Sequence, residues 1–220
     1  MKRNKFSHRT VHNEKQSIAY HEAGHAVAIC LNNQARQQPP VFFQIVIKHT
    51  HPQAEFNRSS DDSDHSVARV EGGRLIHSLI SHVEDLTQKL IGIDESIAPL
   101  VREYQVAFDA DIVNLLIGPL AEAKQSYLED NELFSYQLID SQALRNYGGD
   151  ADLALAWEYL ACYSADKLRQ EQKINELFIE AGNFISDSEN WQAIEKLADY
   201  ILRSDKDIIS CEEVLALLKQ

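Results

Sequence analysis

The chain has 220 residues, of which 44% are hydrophobic and 25% charged, a balance that suits one well-cored globular domain and excludes an intrinsically disordered chain. Acidic residues outnumber basic ones 34 to 21, giving a net charge of −13, and such a surface repels phosphate backbones, so nucleic acid is not an expected partner. Glycine and proline are scarce, at 8 and 5, which favours long helices over a sandwich of short strands.

In chain order, Lys2, Arg3, Lys5 and Arg9 form a basic cluster within a solvated, flexible tail over residues 1–13. No apolar run follows it, and none anywhere approaches the roughly 18 residues needed to span a bilayer, so neither a signal peptide nor a membrane span is expected. Residues 14–220 are expected to form a single domain. The spacing predicts a helix over 14–32, an extended connection at Pro39-Pro40, and a strand in the aromatic and β-branched run at 41–48. Residues 49–66 are polar and turn-rich and read as a surface loop, followed by a short strand at 66–71 closed by Gly72-Gly73. From there the pattern is helical: about 74–91, 95–128, 133–146, 150–170, 171–186, 189–203 and 210–219. In 189–203, Ile194, Leu197, Ala198, Ile201 and Leu202 mark one face. The expected fold class is mainly α with a small β element, an active-site helix leading into a C-terminal helical bundle.

Three cysteines, Cys30, Cys162 and Cys211, are odd in number and widely separated. They form no disulfide framework and read as small buried hydrophobes in a reducing, cytoplasmic setting.

The segment Ala19-Tyr20-His21-Glu22-Ala23-Gly24-His25-Ala26-Val27 carries the pattern H-E-x-x-H inside the first predicted helix. Side chains four apart lie one above the other on a helix, so His21 and His25 can reach one ion. Neutral imidazole suits Zn²⁺. Glu22, rotated off that face, is placed to touch a water rather than the metal, as a general base should be. Gly24 costs about 1 kcal/mol against alanine in a helix, which points to a close approach at that position.

The stretch AYHEAGHAV resembles the active-site helix of the FtsH-type ATP-dependent zinc metalloproteases. Gly118-Pro119-Leu120-Ala121-Glu122 resembles that family's G-G-R-x-A-E stretch, with departures at Pro119 and Leu120. Gly148-Gly149-Asp150-Ala151-Asp152-Leu153 resembles its G-A-x-N-D-L segment. The strand after the zinc helix and the ending Leu197-Ala198-Asp199-Tyr200-Ile201-Leu202 also keep the family's order. The resemblance implies a zinc site with His21, His25 and a distant aspartate, and a zinc-dependent endopeptidase activity with Glu22 as its catalytic residue. It covers nearly the whole chain, but only the zinc helix is specific.

A catalytic zinc needs a third protein ligand. The candidates are Asp152, Asp150, Glu122, His77 and His82, and residue chemistry alone does not choose among them. Asp150, after two glycines and before an apolar run, reads as a helix N-cap. Glu122 reads as a partner that orients a histidine, or as a satisfied acid packed in the core. The family's ligand aspartate aligns with Asp152. His77 and His82, five apart, are poorly matched for one ion, and His49, His51 and His65 carry no functional weight.

The FtsH-type proteases also carry an ATPase module and membrane helices, whereas this sequence has no G-x-x-x-x-G-K-[ST] pattern. It is therefore expected to act as a stand-alone peptidase domain that cuts flexible or unfolded polypeptides, or receives them from a separate partner. The run at 41–47 is a candidate edge for docking an extended peptide, or else a core strand. Segment 49–113 is longer than in the family and is expected to shape the rim of the site or a contact between copies. An oligomer is left open. So is a different class of function, a catalytically silent, zinc-stabilised helical binding or regulatory module of the same fold.

Overall fold

The computed structural model describes residues 11–48, 68–80, 83 and 95–219. Helix α1 (Val11–Ala35) runs through the middle of the molecule. Its residues Ala19, Ala23, Ala26, Val27 and Ala28 are almost wholly buried. Small side chains let other helices approach it closely on several sides, so its apolar residues form no single stripe. A Cβ on Gly24 would lie 2.9 Å from the Cβ of Ala121 and 3.0 Å from the carbonyl oxygen of Ile117. The glycine that costs helix propensity is thus the point where α1 crosses α2 (Ala98–Glu129).

Three further helices, α3 (Asp150–Tyr163), α4 (Lys167–Ser186) and α5 (Ser188–Arg203), complete the bundle, with α6 (Cys211–Leu218) at the end. Their starts follow from sequence. Asp166 accepts from the N–H of Leu168, Asp187 from those of Glu189 and Asn190, and Ser210 forms a capping box with Glu213. Helix α5 buries Trp191, Ile194, Leu197, Ala198 and Ile201, the face its periodicity predicts except that Trp191 joins it and Leu202 is exposed.

The small β element is a sheet of three antiparallel strands in the order β2-β1-β3: β1 (Phe43–Ile47), β2 (Ala68–Gly72) and β3 (Ile208–Ser210). The run at 41–47 is therefore the central strand. It has no free edge for a peptide, because β3 comes back to pair with it. Among the described residues, the unpaired edge beside the site belongs to β2.

Two predicted helices differ from the structure over their described residues. Residues 74–80 are irregular, because the buried carboxylate of Asp111 accepts the N–H groups of Leu75 and Ile76, both at 2.9 Å, and satisfies donors that a helix would have used. The rest of the predicted helix at 74–91 lies almost wholly outside the described residues. Residues 133–146 form short 3-10 turns, Tyr136–Leu138 and Ser141–Tyr147, the second capped by Asp140 and closed by Gly148 at φ 72°. The predicted break between helices at 170 and 171 lies earlier, at Ser164–Asp166. Helix α1 begins at Val11, inside the span read as a tail, while residues 1–10 lie outside those described.

Among the described residues no helix is long and apolar enough to cross a membrane. Cys211 is buried and packs with the core, Cys30 is partly buried against it, and Cys162 is half-buried. Burial pushes the Cys30 thiol up to about 12, as an inert cysteine requires.

Candidate metal centre

His21 and His25 project from the same face of α1, their ring centroids 4.8 Å apart and the rings nearly edge-on. The third member arrives from α3, far along the chain. Asp152 places Oδ2 3.1 Å from His21 Nε2 and Oδ1 3.3 Å from His25 Nε2. One ligand atom from each of the three residues falls within a 4.8 Å cluster, so the group can hold a metal ion. Ligands bound tetrahedrally at 2.0–2.1 Å are about 3.3 Å apart, close to the separations of Asp152 from the two rings.

The far sides of both rings are tied down. His25 Nδ1 donates to the carbonyl oxygen of Asn114 at 2.9 Å. A carbonyl can only accept, so the proton sits on Nδ1 and the neutral ring offers its Nε2 lone pair to the cluster. His21 Nδ1 donates in the same way to Glu122 Oε2 at 3.2 Å. Glu122 thus orients the His21 ring and is not itself in the cluster. Such outer partners fix the ring orientation of metal-binding histidines and raise their basicity.

Two glycines make room for this arrangement. A Cβ at Gly118 would clash with the ring of His25, lying 2.3 Å from its Nε2 and 2.4 Å from its Cε1. At Gly148, which has the left-handed φ of 72°, a Cβ would lie 2.8 Å from Glu122 Oε2 and 3.2 Å from His21 Nδ1. Pro119 sits inside α2, where it gives up one helical hydrogen bond, and its ring packs where a Cβ on Gly149 would go. This contact seats the turn that delivers Asp152. Asp150 does not cap α3. The N-cap is Gly149, without a side-chain bond, and Asp150 is exposed one position later, 3.3 Å from Arg145. Its charge still favours the helix start.

Burial penalises both charged imidazoles and the carboxylates of Asp152 and Glu22, yet contacts within the cluster override that penalty for His21, His25 and Asp152. Desolvation lowers the tendency of His21 to protonate, but its hydrogen bonds to Asp152 and Glu122 raise its pKa well above the ordinary value. His25 is raised against the same desolvation, chiefly by the charge of Asp152. Burial also works against ionised Asp152, and the two rings nonetheless hold its carboxyl far below the usual range. Glu22 differs. Desolvation raises it, and the two rings and the N–H of Val70 only partly oppose that. A buried anion flanked by two proton-binding rings is the setting in which a divalent cation replaces protons.

Glu22 stands outside the cluster, its Oε2 accepting from the N–H of Val70 at 2.6 Å. Both face an open cleft of about 1250 Å³, lined also by Ile29, Phe42, His77, Leu155 and Tyr159. His77 is exposed on the cleft wall and apart from the ligand group. His49, His51, His65 and His82 lie outside the described residues. The H-E-x-x-H pattern singled out His21, Glu22 and His25, the family resemblance pointed to Asp152 among several candidates, and the structure brings the three ligand candidates together with Glu22 beside them. Asn114 and Val70 were not legible, because each acts through its main chain and no residue type signals that. Compared with protein-family models, curated proteins and solved structures, the chain gives no match.

Proposed function

We propose that this chain is a zinc-dependent endopeptidase of zincin-like, FtsH-type character that hydrolyses amide bonds in flexible or unfolded polypeptides. The observation that carries the reading is the convergence of His21, His25 and Asp152, with both Nδ1 atoms committed elsewhere. Two imidazoles and one carboxylate are the donor set of a catalytic rather than a fully closed structural zinc site. When bound, the metal supplies a Lewis acid for the scissile carbonyl and makes water a better nucleophile near neutral pH.

The protein's own residues do the rest. Glu22, carboxylate-bearing and off the ligand face, accepts the proton of the attacking water and returns it to the leaving amine. Its raised pKa suits it to both steps. Glu122 and the Asn114 carbonyl keep the imidazoles aimed, so no reorientation is needed during reaction. The cleft is larger than the roughly 300–1,000 Å³ common for small-molecule pockets, which favours a polymeric substrate. Beside it runs the edge of β2 that no other strand among the described residues pairs with, suited to an extended main chain. Nothing in this reading supplies unfolding, so folded proteins are cut only after a partner or condition has opened them, and a cytoplasmic setting is proposed with it.

The test is Glu22→Gln. It is expected to retain metal and lose about 10²–10⁴-fold in hydrolysis of an unfolded protein such as casein. Equal cleavage by the variant would remove Glu22 from the mechanism. Bound metal without hydrolysis by the native protein would favour the silent binding module instead.

A further inference from the structure

Gly73 N–H donates to the carbonyl of Phe42 at 2.9 Å, which makes that opposed pair a hydrogen-bonded one. Pairs alternate along an antiparallel ladder, so the register Gln44↔Glu71 and Val46↔Arg69 continues the bonded series. The main-chain groups of Ala68, Val70 and Gly72 therefore point away from β1, along an edge that no other strand among the described residues pairs with. Val70 is the middle of the three, and its outward N–H is the group that holds Glu22, at 2.6 Å. An added strand would need that same N–H for its own carbonyl. One N–H cannot serve two acceptors at full strength.

We infer that the Val70 N–H is a shared donor: in the empty site it positions Glu22, and an extended substrate backbone takes it over, so that docking and release of the base are one event. This rests on the peptidase reading above. It specifies the substrate as a main chain long enough to lay a carbonyl against Val70. Peptides too short to do so reach the cleft without displacing Glu22 and are turned over slowly.

Two arms test this. The first uses amide hydrogen exchange on metal-free protein, so it needs neither zinc nor turnover. Val70 is expected to be protected although it lies on an edge, and to exchange at least about tenfold faster in Glu22→Ala. Equal rates at Val70 in the two proteins would overturn the positioning contact. The second arm uses zinc-loaded protein and the variant Val70→Pro, which removes an N–H that is not part of the ladder to β1, so an edge strand tolerates it. Casein cleavage is expected to fall at least about tenfold in kcat/KM relative to Val70→Ala, while cleavage of a blocked dipeptide amide rises, because Glu22 is released without a docked strand. Equal proportional losses on both substrates, or none on either, would overturn the takeover. If native protein cleaves nothing while Val70 protection still depends on Glu22, the peptidase reading fails and the takeover with it, a result distinct from loss of the contact itself.

Discussion

At the scale of single residues, His25 is fixed from two directions by groups that offer no reactive side chain of their own. The Asn114 carbonyl holds its Nδ1, and the bare Cα of Gly118 leaves space for its ring. Gly118→Ala puts a methyl group into that ring, and the ring must turn. Metal affinity is expected to drop about 10–100-fold, the cost usually seen when a ligand's support is lost. Competition with a chromophoric chelator measures this, and unchanged affinity would mean the ring has another place to go. Glu122→Ala is expected to lower affinity over a similar range through His21. These side chains were only partly legible. The spacing of His21 and His25 is a property of any helix and could be read directly. The Gly118 and Gly148 requirements are steric and appear only once the partner ring is placed.

At the scale of elements, Asp111 decides the path of the segment after β2. Its carboxylate accepts from Leu75 N, Ile76 N and Tyr159 Oη, the last at 3.0 Å, and so ties the cleft wall to α2 and α3. Asp111→Ala leaves these donors without that acceptor. A loss of about 1–3 kcal/mol is expected, with faster amide exchange at Leu75 and Ile76, measured by denaturant titration and exchange. Amphipathic elements were read well from sequence because burial on one side imposes a period, as in α5. Residues 74–80 and 133–146 carry similar apolar content, but local capture by Asp111 and by Asp140 diverts their backbones, and such bonds leave no periodic trace. The strand β3 escaped notice because three residues are too few to show alternation. Away from the site, Leu197→Ala is expected to cost about 2–5 kcal/mol through the cavity it leaves, without altering metal stoichiometry.

At the scale of the whole molecule, the proposed metal would compete with protons for one buried group that joins α1 to α3. The folded pKa values of His21 and His25 lie above their unfolded value near 6.5. Their contribution to the metal-free fold is therefore complete below about pH 6.5 and is lost as pH rises through the raised values. Metal uptake runs the other way, since the rings must shed protons to bind. Across that window the Tm of chelator-treated protein is expected to fall, while the added stabilisation by zinc grows. At a free zinc concentration a hundred times Kd, the stabilisation should reach about 2.7 kcal/mol. A zinc increment that shrinks with rising pH would contradict the ligand assignment.

The most direct measurement is elemental analysis of the purified native protein beside Asp152→Ala. One zinc per native chain, with the metal lost or bound far more weakly in the variant, is the expected result. A native chain that takes up no metal from stoichiometric zinc, or a variant that holds it as tightly, would contradict the site on which the proposed chemistry depends.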